Sequence, residues 1–125
     1  MANTATAWKL EVERGPGCLF VQLEPSPESL PTWDGLADHL WELLEGQFTY
    51  RIVLDMRDVE IMNSTLIGQL VMLHKRVHTH EGMLRLCHLS EANQQVLQGI
   101  RMLDRFPNYA DREQAVMGHR PAYPR

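Results

Sequence analysis

The spacing of hydrophobic and polar residues changes along the chain, and each change marks a new structural element. Residues 52–54 form an unbroken apolar run, which is typical of a strand buried on both faces. Four charged residues then fall within positions 55–60, which indicates a surface turn. From Leu66 onward the apolar residues recur every three or four positions, as on the buried face of a helix. The segment 51–77 therefore predicts a buried strand, a polar turn and an amphipathic helix.

The rest of the chain continues this alternation of strands and helices. The predicted elements are, in order, a strand at 8–14, a strand at 18–23, a helix from Thr32 to Gly46 with Asp34 in its first turn, the strand and helix of 51–77, a strand at 83–89, a helix from Ser90, a short edge strand near 106–109 and a helix at 111–117. Gly15-Pro16-Gly17 separates the first two strands and predicts a hairpin, with one face of the first strand buried and one exposed. Residues 24–31, which contain three prolines, are predicted to form a loop.

This order predicts an α/β fold with a mostly parallel sheet, an antiparallel hairpin at its N-terminal end and about four helices. A length of 125 residues is suited to one domain. We expect that domain to cover residues 8–118, with flexible ends at 1–7 and 119–125. We expect a monomer or a weak dimer.

Asn63, Ser64 and Thr65 stand where the polar turn meets the helix. Either Asn63 or Ser64 is a suitable N-cap, because a short side-chain oxygen can accept from the free N–H groups of the first turn. Two interpretations of the hydroxyl pair remain open. One hydroxyl caps the helix and the other has no special role, or Ser64 accepts a phosphate, whose charge of about −1.5 to −2 a helix N-terminus stabilises.

Charge and cysteine content narrow the classes of function. The formal net charge of −4 argues against a general nucleic-acid binder, although the chain carries four bases and eleven acids up to residue 73 and eight bases and five acids after it. Cys18 and Cys87 lie in apolar surroundings and are predicted to be buried free thiols in a reducing compartment. No stretch approaches the ~20 apolar residues of a membrane span, and the N-terminal residues do not resemble a signal peptide. We expect a cytoplasmic protein that does not insert into membranes.

The motifs of enzymes are weak in this sequence. It has no glycine-rich phosphate loop and no Gly-x-Ser-x-Gly motif. His74 and His78 are four residues apart, a spacing that can chelate a metal, but a solvated helix face explains them better. Asp55 and Asp58 follow a buried strand, where ligand sites of α/β proteins gather, although loop carboxylates are common there. We therefore expect no catalysis, cofactor or metal, and the alternative is a small metal-binding or hydrolytic enzyme built on the histidines, which include His80 and His88, and on Asp55 and Asp58.

The run from Arg51 to Val116 resembles the STAS domain, the family of bacterial anti-sigma factor antagonists. The resemblance rests on a strand ending in Leu54-Asp55, a short acidic turn and the segment Asn63-Ser64-Thr65-Leu66-Ile67-Gly68-Gln69-Leu70, with Gly82-Met-Leu-Arg-Leu86 and Leu103-Asp-Arg-Phe106 in the family's order downstream. It implies a domain that binds an anti-sigma kinase and thereby frees a sigma factor. It also implies that the kinase phosphorylates Ser64 and that a PP2C-type phosphatase removes the phosphate.

Two positions depart from the family's motif. Asn63 stands where the family has Asp, and Leu66 where it has Gly, which we expect to add bulk and an apolar contact to the partner surface. The predicted acceptor is Ser64, with Thr65 as second choice, and the predicted partner-binding residues are Asp55, Asp58, Asn63, Ser64, Thr65 and Leu66. The second hypothesis is a STAS subunit that docks on a transporter ATPase without a phosphoswitch.

Overall fold

In the residues that the structure describes, a five-stranded sheet is flanked by four helices. The computed structural model describes residues 8–25 and 32–118, so the predictions for residues 1–7, 26–31 and 119–125 lie outside the described residues. The elements are β1 (Trp8–Gly15), β2 (Cys18–Pro25), α1 (Leu36–Gly46), β3 (Arg51–Asp55), α2 (Ser64–Thr79), β4 (Met83–Cys87), α3 (Glu91–Gly99), β5 (Asn108–Tyr109) and α4 (Arg112–Met117).

The strands lie in the order β1-β2-β3-β4-β5, with β1 and β2 antiparallel and all other neighbours parallel. This confirms the predicted α/β fold, its mostly parallel sheet and its N-terminal hairpin. The hairpin closes through Pro16 and Gly17 between the paired residues Gly15 and Cys18. Gly17 has a φ of 72°, a left-handed conformation that glycine adopts without steric cost.

The helices cover the two faces of the sheet unequally. Ile52 and Leu54 belong to the main hydrophobic core, to which α1, α2 and α3 contribute. Val53 points to the opposite face and packs in a smaller cluster with Ala115 of α4. Because side chains alternate along a strand, Asp55 lies on the same face as Val53. The end of β3 is therefore directed toward α4.

Three local predictions are wrong. Helix α1 begins at Leu36 and not at Thr32, because residues 33–36 form a turn in which Leu36 N–H donates to the Trp33 carbonyl at 3.1 Å. Asp34 therefore precedes the helix. Strand β1 lies at the sheet edge, and its apolar face is buried at only one end: Trp8 is buried and Leu10 is half-buried, but Val12, expected to be buried, is 45% exposed.

The third wrong prediction is the end of β4, which stops at Cys87 and does not reach residue 89. The chain turns there because His88 has a left-handed φ of 58°. Cys18 and Cys87 are both buried and free, as predicted. Within the described ranges 8–25 and 32–118, no helix has the length and apolar character needed to cross a membrane.

Candidate functional site

Asn63 is the residue that starts α2. Its backbone is extended, with φ −91° and ψ 174°, and its side-chain Oδ1 accepts from the Leu66 N–H at 2.9 Å. Its carbonyl accepts from the Ile67 N–H at 3.0 Å. Asn63 rather than Ser64 is therefore the N-cap, which resolves the alternative left open by the sequence. Ser64 is the first helical residue, and its hydroxyl is not required for this cap.

The start of α2 presents an exposed surface to solvent. This surface is formed by exposed residues of the preceding loop, the N-cap and the first turn: Asp58, Ile61, Asn63, Ser64 and Thr65. We call it the helix-start face. Ile61 is 60% exposed and is one of the large apolar side chains that the fold leaves in water. The first-turn N–H groups of a helix have no partner within the helix, so this face combines hydroxyls, an apolar side chain and a region that favours anions.

Asn93 of α3 forms hydrogen bonds to the backbone of the loop between β3 and α2. The Asn93 side chain is fully buried. Its Oδ1 accepts from the Met62 N–H at 2.7 Å, and its Nδ2 donates to the Val59 carbonyl at 2.7 Å. These two bonds satisfy buried backbone groups on both sides of Ile61. The position of Ile61 therefore depends on a side chain that lies 32 residues further along the chain.

Side-chain contacts also connect this loop to the sheet. Asp58 accepts a hydrogen bond of 2.6 Å from Gln22 of β2. The Ser90 hydroxyl, which also caps α3 by accepting from the Asn93 N–H at 3.1 Å, donates to the Glu60 carbonyl at 3.3 Å. The loop is therefore fixed at three places before it reaches Ser64.

Asp55 forms the centre of a charged cluster at the end of β3. Its side chain is 1% exposed, and its Oδ2 lies 2.8 Å from Arg57 Nη2. The backbone N–H of Arg57 also donates to Asp55 Oδ1, at 3.1 Å. His88 Nδ1 lies 3.2 Å from Oδ1, and Arg112 Nε of α4 lies 3.5 Å from Oδ2. We call Asp55, Arg57, His88 and Arg112 the Asp55 cluster.

The electrostatic surroundings of Asp55 keep it ionised. Burial alone would raise the pKa of Asp55, but the hydrogen bonds from Arg57 and the positive charges of His88 and Arg57 together lower this pKa below its ordinary value. His88 Nδ1 also lies 3.2 Å from Arg57 Nη2. When Nδ1 of His88 carries a proton it can donate to Asp55, and when it carries none it can accept from Arg57. The hydrogen-bond partner of His88 therefore depends on whether Nδ1 is protonated.

Arg112 joins α4 to this cluster. Its Nη1 donates to Glu13 of β1 at 2.9 Å, and its guanidinium carbon lies 5.3 Å from the centre of the Phe20 ring. Its Nε is buried and makes no hydrogen bond within the part of the chain that the structure describes. The attraction of that group to Asp55 is therefore a charge interaction rather than a hydrogen bond.

Asp55, Cys87 and His88 could be read as metal ligands, because their ligand atoms lie within 4.8 Å of one another. Their charges do not suit a cation. Arg57 and Arg112 already face the carboxylate, and burial together with the charge of Asp55 raises the pKa of Cys87 to about 12. The thiol is therefore neutral when no ion is bound, whereas nucleophilic attack needs the thiolate.

The structure separates the residues of the alternative enzyme hypothesis. Asp55 and Asp58 lie beside the start of α2, whereas His74 and His78 lie in its C-terminal half. Ten residues separate Ser64 from His74, which corresponds to about 15 Å along a helix. The His74 and His78 rings stack on each other with centres 5.9 Å apart. The structure therefore brings no His–Asp site together from these four residues, but of the other histidines His88 does lie 3.2 Å from Asp55, in the cluster that also contains Arg57 and Arg112.

Two of the six predicted partner-binding residues are not on the surface. Leu66 is fully buried in the main core, so the prediction that it contributes an apolar contact to a partner is wrong. Asp55 is also buried, and its predicted place among the contact residues is wrong for the same reason. The other four, Asp58, Asn63, Ser64 and Thr65, are exposed together. Their role in partner binding stays a prediction.

Several residues of this region were missed from the sequence: Arg57, Ile61, His88, Asn93 and Arg112. The sequence signal for Ile61 was its apolar side chain within a charged turn. Asn93 interrupts the apolar face of α3, which was the one hint of a buried polar group. His88 and Arg112 carry no local signal, because their contacts with Asp55 arise only when β3, β4 and α4 come together.

Comparisons with known proteins agree with this geometry. The family model described as "STAS domain" matches residues 9–115. A comparison with curated proteins finds no match. Among solved structures, an anti-sigma factor antagonist from Mycobacterium paratuberculosis superposes with a TM-score of 0.72 at 15% identity, over 94% of this chain and 97% of that one.

Two further structures have the same fold. A STAS domain protein from Planctomyces limnophilus gives a TM-score of 0.72 at 21% identity, over 87% of this chain and 96% of that one. A variant of RsbS from Moorella thermoacetica gives a TM-score of 0.72 at 11% identity, over 88% of this chain and 93% of that one. These identities are low, so the solved structures establish the fold, whereas the family match covers most of the sequence. The chain belongs to the STAS domain family.

Proposed function

We propose that this STAS domain is a protein-binding module of a sigma-factor regulatory pathway, similar in function to an anti-sigma factor antagonist. In this proposal the helix-start face docks on an anti-sigma kinase, the domain itself catalyses no reaction, and a phosphate on Ser64 weakens the complex. The observation that carries the proposal is the cap: Asn63 starts α2, which leaves the Ser64 hydroxyl exposed and free of a structural task.

The chemistry of the face supports a switch at Ser64. A phosphate there would lie beside the first-turn N–H groups, which stabilise anions, so the domain would stay folded. The same phosphate would be costly to bury in a complex unless the partner supplied a paired cation. Asp58 and Glu60 are exposed nearby and make the face more acidic still. Modification would therefore act on the affinity for the partner and not on the fold.

Ile61 gives the test of the docking surface. Exposed apolar side chains at the centre of an interface contribute much of the binding energy, so Ile61→Ala should weaken binding to the anti-sigma kinase about tenfold. The matched control is Ile100→Ala, because Ile100 is 47% exposed and follows α3, at the other end of the domain. Isothermal titration calorimetry with the purified kinase measures both affinities.

The control decides the interpretation of this experiment. Equal affinities for wild type and Ile61→Ala, or an equal loss for Ile100→Ala, would contradict docking through the helix-start face. Affinity capture from the source cell supplies the partner. Recovery of a transporter ATPase without any sigma-factor regulator would favour the second hypothesis, a STAS subunit of a transporter, and would refute the proposed pathway.

A further inference from the structure

A cleft of about 670 Å3 opens beside the C-terminal half of α2, away from the helix-start face. Its volume falls within the range of about 300–1,000 Å3 that is common for small-molecule sites. The cleft exists because β5 is short: it pairs only with Leu86 and Cys87 of β4. Within the described ranges, no strand flanks the segment 83–85 on that side of the sheet.

The side chains that line this cleft are strongly biased toward positive charge. Arg85, Arg101 and Arg105 contribute guanidinium groups, and His74 and His78 contribute imidazole rings. Among the described lining residues, Asp104 is the one carboxylate. In the part of the chain that the structure describes, neither Arg101 nor Arg105 pairs with an acidic side chain. Among the described lining residues, guanidinium groups therefore outnumber carboxylates by three to one.

Arg85 is held in position on the inner wall. Its Nη1 donates to the Ala115 carbonyl at 2.7 Å, and its guanidinium carbon lies 5.7 Å from the centre of the Tyr109 ring. A guanidinium has five N–H donors in a rigid plane, so these contacts leave donors for a ligand. Because the group is already ordered, binding through it costs little conformational entropy.

Two imidazole rings, of His74 and His78, and a further arginine, Arg101, also line the cleft. His74 packs edge-on against Phe106, with ring centres 5.4 Å apart, and stacks on His78. Burial lowers the pKa of His74, and the positive charges of Arg105 and His78 lower it further. Arg101 adopts a left-handed φ of 60° directly after α3, where the Met102 N–H donates to the Leu97 carbonyl at 2.8 Å and ends the helix.

We propose that this cleft binds a small molecule that carries two or more phosphate groups. Arginine suits phosphate because its planar donors match two oxygens at once, and several arginines together compensate the charge of a polyanion. In the complex, Arg85 donates to one phosphate from the inner wall, while Arg101 and Arg105 close on the others from the rim. The site is independent of the helix-start face, which lies at the other end of α2.

Titration with pyrophosphate, followed by amide NMR of the 15N-labelled protein at fixed ionic strength, tests this proposal. We expect the shift changes to concentrate in residues 74–85 and 101–107. The variant Arg105→Gln should bind about tenfold more weakly, because it loses hydrogen bonds to a charged group. Arg101→Gln provides a second variant at the rim. The spectrum of each free variant shows whether the fold is intact.

The matched control is Lys9→Gln, which removes the same charge from an exposed position on β1, at the opposite edge of the sheet. Its affinity for pyrophosphate should equal that of wild type. An equal loss in the Lys9 and Arg105 variants would show a general charge effect and would overturn the site. Absence of localised shifts would do the same, and succinate binding as tightly as pyrophosphate would overturn the selectivity for phosphate.

Discussion

Asp55 stabilises the fold only while its carboxylate is charged, because its contacts are with Arg57, His88 and Arg112. Its pKa in the folded protein is below the ordinary value of 3.8. The unfolded state therefore binds a proton first as the pH falls. The stabilisation is complete above the unfolded-state pKa and is lost as the pH falls through the folded-state pKa.

The substitution Asp55→Asn measures this contribution. At neutral pH we expect Asp55→Asn to lower the free energy of unfolding by about 2 kcal/mol, because Arg57, His88 and Arg112 lose the buried charged acceptor that they face. The difference from wild type should shrink as the pH is lowered below about 4. Urea denaturation at a series of pH values gives both quantities. A pH-independent difference would contradict the account, and the exposed carboxylate variant Asp34→Asn serves as the control.

Asn93 acts at the scale of elements, because it joins α3 to the loop between β3 and α2. Asn93→Ala would leave the buried Met62 N–H and Val59 carbonyl without partners. Each such loss costs about 1–3 kcal/mol, so we expect the free energy of unfolding to fall by roughly 2–6 kcal/mol. Chemical denaturation measures this loss.

Two further variants serve as controls for Asn93→Ala. Gln95→Ala changes an exposed residue of the same helix and should alter the free energy of unfolding by less than about 0.5 kcal/mol. Ser64→Ala should also be nearly neutral, since Asn63 and not Ser64 caps α2. A stability of Asn93→Ala close to that of Gln95→Ala would show that the loop does not depend on these hydrogen bonds.

The elements themselves could largely be predicted from the sequence. The helical spacing from Leu66 and the apolar run at 52–54 predicted α2 and β3, and the helix expected from Ser90 begins at Glu91 with Ser90 as its N-cap. The start of α1 could not be predicted, because the left-handed Gly35 and the turn at Trp33 depend on the packing of that ring. For Leu66 the sequence supported two conflicting predictions. The helical spacing of apolar residues predicted that Leu66 is buried, whereas the comparison with the family's motif predicted that it lies on the surface.

The Asp55 cluster was not predicted because it forms only in the fold of the whole molecule. Asp55 is separated from His88 by 33 residues and from Arg112 by 57. Only the parallel pairing of β3 with β4, and the packing of α4 on the second face, brings these side chains together. The same applies to the cleft, whose arginines come from β4 and from the segment after α3.

The two proposed sites lie at opposite ends of α2. The helix-start face presents Ser64 at its N-terminal end, and the cationic cleft includes His74 and His78 in its C-terminal half. The sheet that supports both is fixed by the same buried core. A variant in one site should therefore leave the other site intact, so the two proposals can fail separately.

The affinity of the anti-sigma kinase for the Ser64→Asp variant tests the central claim most directly. The control is Gln98→Glu, which adds one negative charge at an exposed position of α3. In calorimetric titrations we predict that Ser64→Asp binds at least tenfold more weakly than wild type, with thermal stability changed by less than about 1 kcal/mol, and that Gln98→Glu binds as wild type does. Equal affinity of wild type and Ser64→Asp for the kinase would contradict the phosphoswitch.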